Sequence, residues 1–178
     1  MTTPTNLQRI ALDFTGACEG GFVDDPVDPG GATKYGVSLR FLRGLGPVQG
    51  DVDGDGDVDA DDVKALTKQQ AETLFLQHFW QPGYDSLAAE VAIRVFDHGV
   101  NAGKKAAVRL LQQACRAHGA RLDEDGVLGP RTIVVASSHG IYLLPTYRAE
   151  RAGFYRELIA HNPKFEKYRN GWLTRAYL

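Results

Sequence analysis

Residues 17–38 read ACEGGFVDDPVDPGGATKYGVS and combine one acid, a sharp turn, further acids and a hydroxyl group. Glu19 lies where an apolar helical pattern stops, and two glycines follow it directly. A loop rich in Pro and Gly then carries Asp25 and Asp28 and ends at Thr33. Glycosidases need two carboxyl groups that flank one sugar bond, one of them protonated. The spacing of these residues is typical of that arrangement.

Two interpretations of this segment stay open from the residues alone. Burial and the C-terminal end of a helix dipole both favour the protonated form of Glu19, which would make it a proton donor. Asp28 would then face the other side of the sugar, and Thr33 would hold a water or orient Asp28. In the other interpretation Glu19 caps the helix or pairs with a base, and the aspartates only form turns, since Asp-Pro and Pro-Gly-Gly are ordinary turn chemistry.

The rest of the chain is predicted to be mainly α. Thr5 with Gln8, and Thr67 with Gln70, form the sequence pattern of a capping box at the start of a helix. Helical spacing of apolar residues, with Pro at two starts, predicts helices over 5–18, 60–66, 67 to about 80, 86–99, 103–118, 130–138 and 145–161. Between residues 20 and 50 we expect a loop and a small β-hairpin, with short strands around Phe22-Val23 and Tyr35-Gly36-Val37. The predicted architecture is a helical bundle with this small hairpin segment and a closely packed C-terminal helical lobe.

The composition narrows the classes of protein that fit. The chain has 178 residues, 43% of them hydrophobic, which is enough for one ordinary core. It contains no apolar run long enough to span a membrane and no secretory signal at its start, so we expect synthesis in the cytoplasm without a signal peptide. Seven aspartates lie in residues 51–62, and without them the balance is 20 basic against 15 acidic residues. The chain outside residues 51–62 is therefore mildly basic, which favours binding to an anionic polymer such as a cell-wall glycan. The sequence contains no nucleic-acid recognition motif.

Residues 51–62, DVDGDGDVDADD, match a calcium-binding loop of the EF-hand kind. Gly56 permits the sharp turn at position 6, and Val58 is the usual apolar anchor at position 8. The predicted oxygen ligands are Asp51, Asp53, Asp55, Asp57, Asp59 and Asp62. The last ligand is an aspartate where a glutamate is usual, and no clear helix precedes the loop. The loop resembles those of dockerins, but dockerins carry two, so we expect a structural Ca2+ site inserted in an enzyme.

The order Glu-Gly-Gly-aromatic, then Asp-x-Gly-Gly-x-Thr-x-x-Gly-Val-Ser, resembles the N-terminal signature of glycoside hydrolase family 108. That family contains N-acetylmuramidases of phage endolysins and bacterial secretion-associated lysozymes. The resemblance implies a lysozyme-like α+β fold and identifies Glu19 as the catalytic acid. The order Glu, Asp, Thr also resembles the catalytic triad of phage lysozymes, which maps to Asp28 and Thr33, with Asp25 as the rival of Asp28. Asp25 and Tyr35 would contact the substrate.

Two later segments extend the resemblance. Phe96–Gly103, FDHGVNAG, is similar to the same family, which puts Asp97 and Asn101 at the substrate cleft or in support of it. Three stretches are similar to a predicted peptidoglycan-binding region, namely residues 110–114, residues 125–132 and the ending Gly171-Trp172-Leu173-x-Arg175. The resemblance therefore implies a catalytic segment over residues 1–95 and a peptidoglycan-binding-like region over residues 96–178.

The resulting hypothesis is an endolysin-type muramidase that cleaves the β-1,4 bond between N-acetylmuramic acid and N-acetylglucosamine. It would be a monomer that acts on the cell wall in the periplasm, released with the help of a holin-like partner, as the resemblance implies. A lytic transglycosylase remains an alternative, since it also uses one glutamate. So does a non-catalytic, calcium-dependent wall-binding module similar to a dockerin.

Overall fold

The described part of the chain is mainly α-helical, as the sequence predicts. The computed structural model describes residues 3–17, 21–24 and 30–178. The helices are α1 Asn6–Ala17, α2 Leu39–Leu45, α3 Pro47–Gly50, α4 Ala60–Ala65, α5 Lys68–Phe79, α6 Ala89–Ala102, α7 Lys104–Ala117, α8 Pro130–His139, α9 Leu143–His161 and α10 Arg169–Tyr177. Short 3-10 turns lie at Pro82–Ser86, Gly140–Tyr142 and Pro163–Tyr168. None of the described helices has the length and apolar character that crossing a membrane requires.

The chain divides into two compact units. One contains Leu12–His78, and the other contains Met1–Ala11 with Phe79–Leu178. This division differs from the boundary expected between residues 95 and 96, which falls within the continuous helix α6. Periodicity identifies the helix but carries no signal for which neighbours it packs against.

The Leu12–His78 unit contains a two-stranded antiparallel hairpin. Strand β1 (Thr33–Lys34) pairs with β2 (Val37–Ser38). Tyr35 and Gly36 form the two-residue turn, with φ angles of 51° and 76°, as the tight turns of hairpins require. The predicted hairpin is therefore present, but Tyr35 and Gly36 belong to its turn and not to a strand.

Two short helices, α2 and α3, follow the hairpin where a loop was expected. The side chain of Ser38 accepts a hydrogen bond from the backbone N–H of Phe41 and so caps the start of α2. Gly46 ends α2 with a φ of 74°, and Pro47 then begins α3. Gly46, which indicated a loop, is a helix boundary, and local composition alone does not distinguish the two.

Both predicted capping boxes are confirmed. The Thr5 N–H donates to Gln8 Oε1 at 2.8 Å, and the Gln8 N–H donates to Thr5 Oγ1 at 3.2 Å. Thr67 and Gln70 make the same pair of bonds, at 2.8 and 3.2 Å. These bonds satisfy backbone donors that the first turn of each helix leaves free.

Helix α6 forms the centre of the second unit. Every residue from Val91 to Gly99 is buried, which marks a helix that is enclosed on all sides. It packs against α7 and α9, and α10 packs against α9. Helix α9 begins at Leu143, so Pro145 lies inside its first turn and does not start it. A fully enclosed helix fixes the position of every side chain it carries, including Asp97.

Candidate functional site

Three predicted acidic site residues, Glu19, Asp25 and Asp28, lie outside the described residues. The structure does describe the elements next to them: α1 up to Ala17, the stretch at 21–24, and the hairpin that begins at Thr33.

Thr33 is held in place by backbone bonds on both sides. Its N–H donates to Val23 O at 2.7 Å, and its carbonyl accepts from the Val23 N–H at 2.8 Å. On the other side it pairs with Ser38 in the hairpin. Its half-buried hydroxyl donates to the carbonyl of Gly31 at 3.1 Å. Because the hydroxyl proton is used locally, the oxygen of Thr33 is left to accept a hydrogen bond from a water or another donor.

Tyr35 lies at the tip of the hairpin in the left-handed region, and it is half-buried. The ammonium group of Lys34 lies 5.3 Å from the centre of its ring. The ring also borders a small cavity of about 30 Å³. Residues of α1 and α5 complete that cavity, namely Leu12, Gly16, Lys68, Ala71, Glu72 and Phe75. The structure thus places Tyr35 beside the helix that leads to Glu19.

The aspartate loop folds back on itself around its own carboxylates. Asp51 accepts the N–H groups of Gly54 at 2.6 Å and Gly56 at 3.0 Å. Gly54 and Gly56 have φ angles of 82° and 103°, which only glycine adopts easily. Carboxylate oxygens lie within 4.8 Å of one another in two groups, Asp51, Asp53 and Asp55, and Asp57, Asp59 and Asp62. The loop therefore collects its acids into two clusters that a cation could approach.

Repulsion among these acids is visible in their pKa values. Burial, partly offset by a hydrogen bond from the Asp55 N–H, raises the pKa of Asp53, and the neighbouring carboxylates add to the effect. For Asp57 the charge of Asp55 is the main cause of a raised pKa. A cation placed among these groups would relieve this repulsion.

Asp62 differs from the other acids of the loop because it is 1% exposed and already bonded. Its Oδ1 accepts the N–H groups of Val52 and Asp53, at 2.5 and 3.3 Å, and its Oδ2 accepts that of Asp59 at 2.7 Å. Burial raises its pKa, but these backbone donors outweigh burial and lower it overall. Together with Asp59 it forms the capping box of α4. The last predicted ligand therefore also caps a helix, a second role that the loop pattern did not reveal.

Asp97 is completely buried between two arginines. Its carboxylate bonds to Arg175 Nη2 at 2.8 Å and Nε at 3.3 Å, and it also pairs with Arg151. The side chains of Asp97 and Arg151 are both 0% exposed. Sequence reasoning missed both arginines as its partners, because the contacts join residues 54 and 78 positions apart. In this position the carboxylate is closed to direct contact with a glycan chain, so the expected contact is wrong for Asp97, and its role in supporting the cleft stays a prediction.

Asn101 lies at the exposed end of the same helix. Its Nδ2 donates to Tyr155 Oη at 3.1 Å, and Tyr155 Oη lies 3.5 Å from Nδ1 of the buried His98. Burial, with the charges of Arg151 and Arg175, lowers the pKa of His98 to about 3. His98 is therefore neutral in the folded protein at ordinary pH, and Asn101 joins this buried network to the surface.

Comparisons with known proteins were made against family models, curated proteins and solved structures. A family model described as Glycosyl hydrolase 108 matches residues 12–103. A second, described as Predicted Peptidoglycan domain, matches residues 106–177. No curated protein matches the chain. Among the solved structures that match is the structure of Brucella abortus SagA, at 27% sequence identity and a TM-score of 0.75, with 95% of this chain and 88% of that chain covered.

Proposed function

The chain belongs to the glycosyl hydrolase 108 family and is a glycoside hydrolase that acts on peptidoglycan, and from this premise we propose that it is an N-acetylmuramidase. It would hydrolyse the β-1,4 bond between N-acetylmuramic acid and N-acetylglucosamine and so lyse the bacterial cell wall. The observation that supports this most is that one family match contains the whole segment from Glu19 to Thr33.

The predicted catalytic residues of that segment each have a proposed role. Glu19 donates its proton to the glycosidic oxygen as the bond breaks. Asp28, or its rival Asp25, serves as base, nucleophile or stabiliser of the positive charge that develops on the sugar. Thr33 accepts a hydrogen bond from the attacking water. This role is supported by its hydroxyl, which donates to Gly31 and so presents lone pairs.

The test is digestion of purified peptidoglycan by the wild type and by Glu19→Gln, followed by mass spectrometry. We expect reducing muropeptides from the wild type, and a loss of at least 100-fold from Glu19→Gln because the proton donor is gone. Near wild-type lysis by Glu19→Gln would refute the mechanism. Anhydro-muramic products would identify a lytic transglycosylase, and saturable wall binding without release of reducing sugar would identify a binding module.

We further propose that the aspartate loop binds one Ca2+ that stabilises the fold. Ca2+ prefers six to eight oxygen ligands in a flexible arrangement, which the two carboxylate clusters supply. Asp51, Asp53 and Asp55 would bind directly, Asp57 would offer its carbonyl, and Asp59 would bind directly or through water. Asp62 would close the site with the lone pair that its backbone bonds leave on Oδ2.

A structural role for the cation is supported by the anchoring of α4, the helix that follows the loop. The ammonium group of Lys34 in the hairpin donates to the carbonyl of Lys64 in α4. The Lys64 ammonium lies 5.7 Å from the ring centre of Phe22. We expect chelation to lower the melting temperature more than it lowers activity per folded molecule. An unchanged melting curve in excess chelator would contradict the proposal, and Asp53→Ala provides a matched variant that removes one ligand.

A further inference from the structure

A groove of about 600 Å³ runs between α7 and α9 in the unit that contains Phe79–Leu178. Its size is that of a site for a small ligand or a short peptide. The end of α6 closes one side of it through Ala102. All of its lining residues belong to this single unit, and none is among the residues predicted to carry catalysis.

The two walls of the groove carry opposite charges. Lys105 and Arg109 lie one turn apart on α7, whereas Glu150 and Glu157 lie two turns apart on α9. Among the residues that the structure describes, none of these four side chains is in an ion pair. Burial, reinforced by the charges of Glu124 and Glu157, raises the pKa of Glu150. Each wall therefore offers charge that a ligand of opposite sign would neutralise.

The surface between the walls is apolar and firmly held. Leu110 is 6% exposed, and Ala106 and Gly153 leave room above it. The ring of Phe154 packs edge-on against the buried His98, at 4.9 Å between ring centres. A preformed apolar surface flanked by fixed charges lowers the cost of ordering a ligand.

We propose that this groove binds the peptide stem of peptidoglycan. The proposal rests on the proposed function only in taking peptidoglycan as the substrate. A stem peptide carries free carboxylates and a free amine separated by small apolar side chains. Its carboxylates would face Lys105 and Arg109, and its amine would face Glu150 and Glu157. The N-acetylated sugars carry no such charges, so a glycan chain would strip water from the four side chains without pairing them.

The dimensions of the groove agree with this ligand. Glu150 and Glu157 are seven residues apart on α9, which corresponds to about 10 Å along the helix axis. Three residues of an extended peptide span about the same length. The two carboxylates of the α9 wall are therefore spaced by about the length of a short stretch of extended peptide, as the proposal requires.

The test is calorimetric titration of the full chain with a synthetic stem tetrapeptide that contains diaminopimelate and is acetylated at its N-terminus, so that the diaminopimelate amine is its one free amine. We expect saturable binding by the wild type, and affinity reduced about fivefold in Arg109→Gln and in Glu157→Gln. Lys105→Gln provides a second change on the α7 wall. The matched control is Arg131→Gln, which alters an exposed arginine on α8 outside the groove and leaves the affinity unchanged.

A modified peptide tests which wall binds which group. Acetylating the free amine should weaken binding to the wild type and to Arg109→Gln but leave the affinity of the double variant Glu150→Gln/Glu157→Gln unchanged. No saturable binding by the wild type, equal affinities in all variants, or displacement of the peptide by an N-acetylglucosamine oligomer would overturn the proposal. Release of reducing sugar by the wild type is measured separately, so a failure of this proposal is distinguishable from a failure of the muramidase assignment.

Discussion

Substitution of Asp97 by Asn should be among the most destabilising single changes in the Phe79–Leu178 unit. The asparagine keeps the shape of the side chain and can still accept one hydrogen bond, but it removes the negative charge. Arg151 and Arg175 are 0% and 9% exposed in the folded protein, so their charges would remain buried without a counter-ion. Removing one partner of a buried ion pair costs about 3–5 kcal/mol, which is a large part of the roughly 5–15 kcal/mol that stabilises a domain.

The assay is urea unfolding followed by tryptophan fluorescence, since Trp80 and Trp172 both belong to this unit. We expect Asp97→Asn to lower the free energy of unfolding by about 3 kcal/mol with little change in the slope against urea. Asp85→Asn, which changes an exposed aspartate of the same unit, should stay within about 0.5 kcal/mol of the wild type. A loss below about 1 kcal/mol in Asp97→Asn would refute the reasoning. Arg175→Met should lower the free energy of unfolding by less in the Asp97→Asn background than in the wild type. In that background it removes a buried cation that has already lost its counter-ion.

Three further predictions concern the glycines, His98 and Thr33. An added Cβ at Gly50 would lie 2.4 Å from the carbonyl oxygen of Leu42, whereas an added Cβ at Gly44 meets nothing within 4 Å. Thermal melts should therefore show that Gly50→Ala is strongly destabilised and that Gly44→Ala is stabilised by about 0.5–1 kcal/mol. His98 has a pKa of about 3 in the folded protein, against an ordinary value of 6.5, so the unfolded chain binds more protons between these two values. The free energy of unfolding should therefore fall by about 1.4 kcal/mol per pH unit as the pH drops through that range. His98→Gln should flatten this slope, and an unchanged slope would show that another group is responsible. Thr33→Val should reduce release of reducing sugar at least 10-fold with an unchanged melting temperature, while Thr33→Ser retains activity; equal activities in the two variants would exclude a role for the hydroxyl.

Local patterns predicted the helices well because their causes lie within a few residues. The capping pairs at Thr5 and Thr67 act over three positions, and both are present. The hairpin was also predicted, but its turn was not, because Tyr35 and Gly36 were assigned to a strand and a tyrosine gives no local signal for a positive φ. The start of α9 was misplaced by two residues, because Pro145 is tolerated anywhere in the first turn and not only at its first position.

Contacts between distant residues could not be predicted in this way. The partners of Asp97 lie on α9 and α10, and nothing near Asp97 in the sequence indicates them. The same applies to the groove, whose walls come from residues 105–109 and 150–157. An exposed Lys or Glu on a helix has the same local signature whether it faces open water or the opposite wall of a groove. The acids of residues 51–62 could be grouped into one predicted cation-binding loop because that pattern lies within twelve consecutive residues.

Tyr35 has a consequence for any attempt to engineer this protein. A residue with a Cβ in the left-handed conformation costs about 1–2 kcal/mol relative to glycine, and Tyr35 has a φ of 51°. Selection for folding alone would favour glycine or asparagine at this turn, so the tyrosine represents stability given up in exchange for its ring. Thermostabilisation that replaces Tyr35 would recover that free energy at the expense of whatever the ring contacts. Under the proposed contact of Tyr35 with the substrate, stability and activity should therefore be optimised together at the hairpin tip.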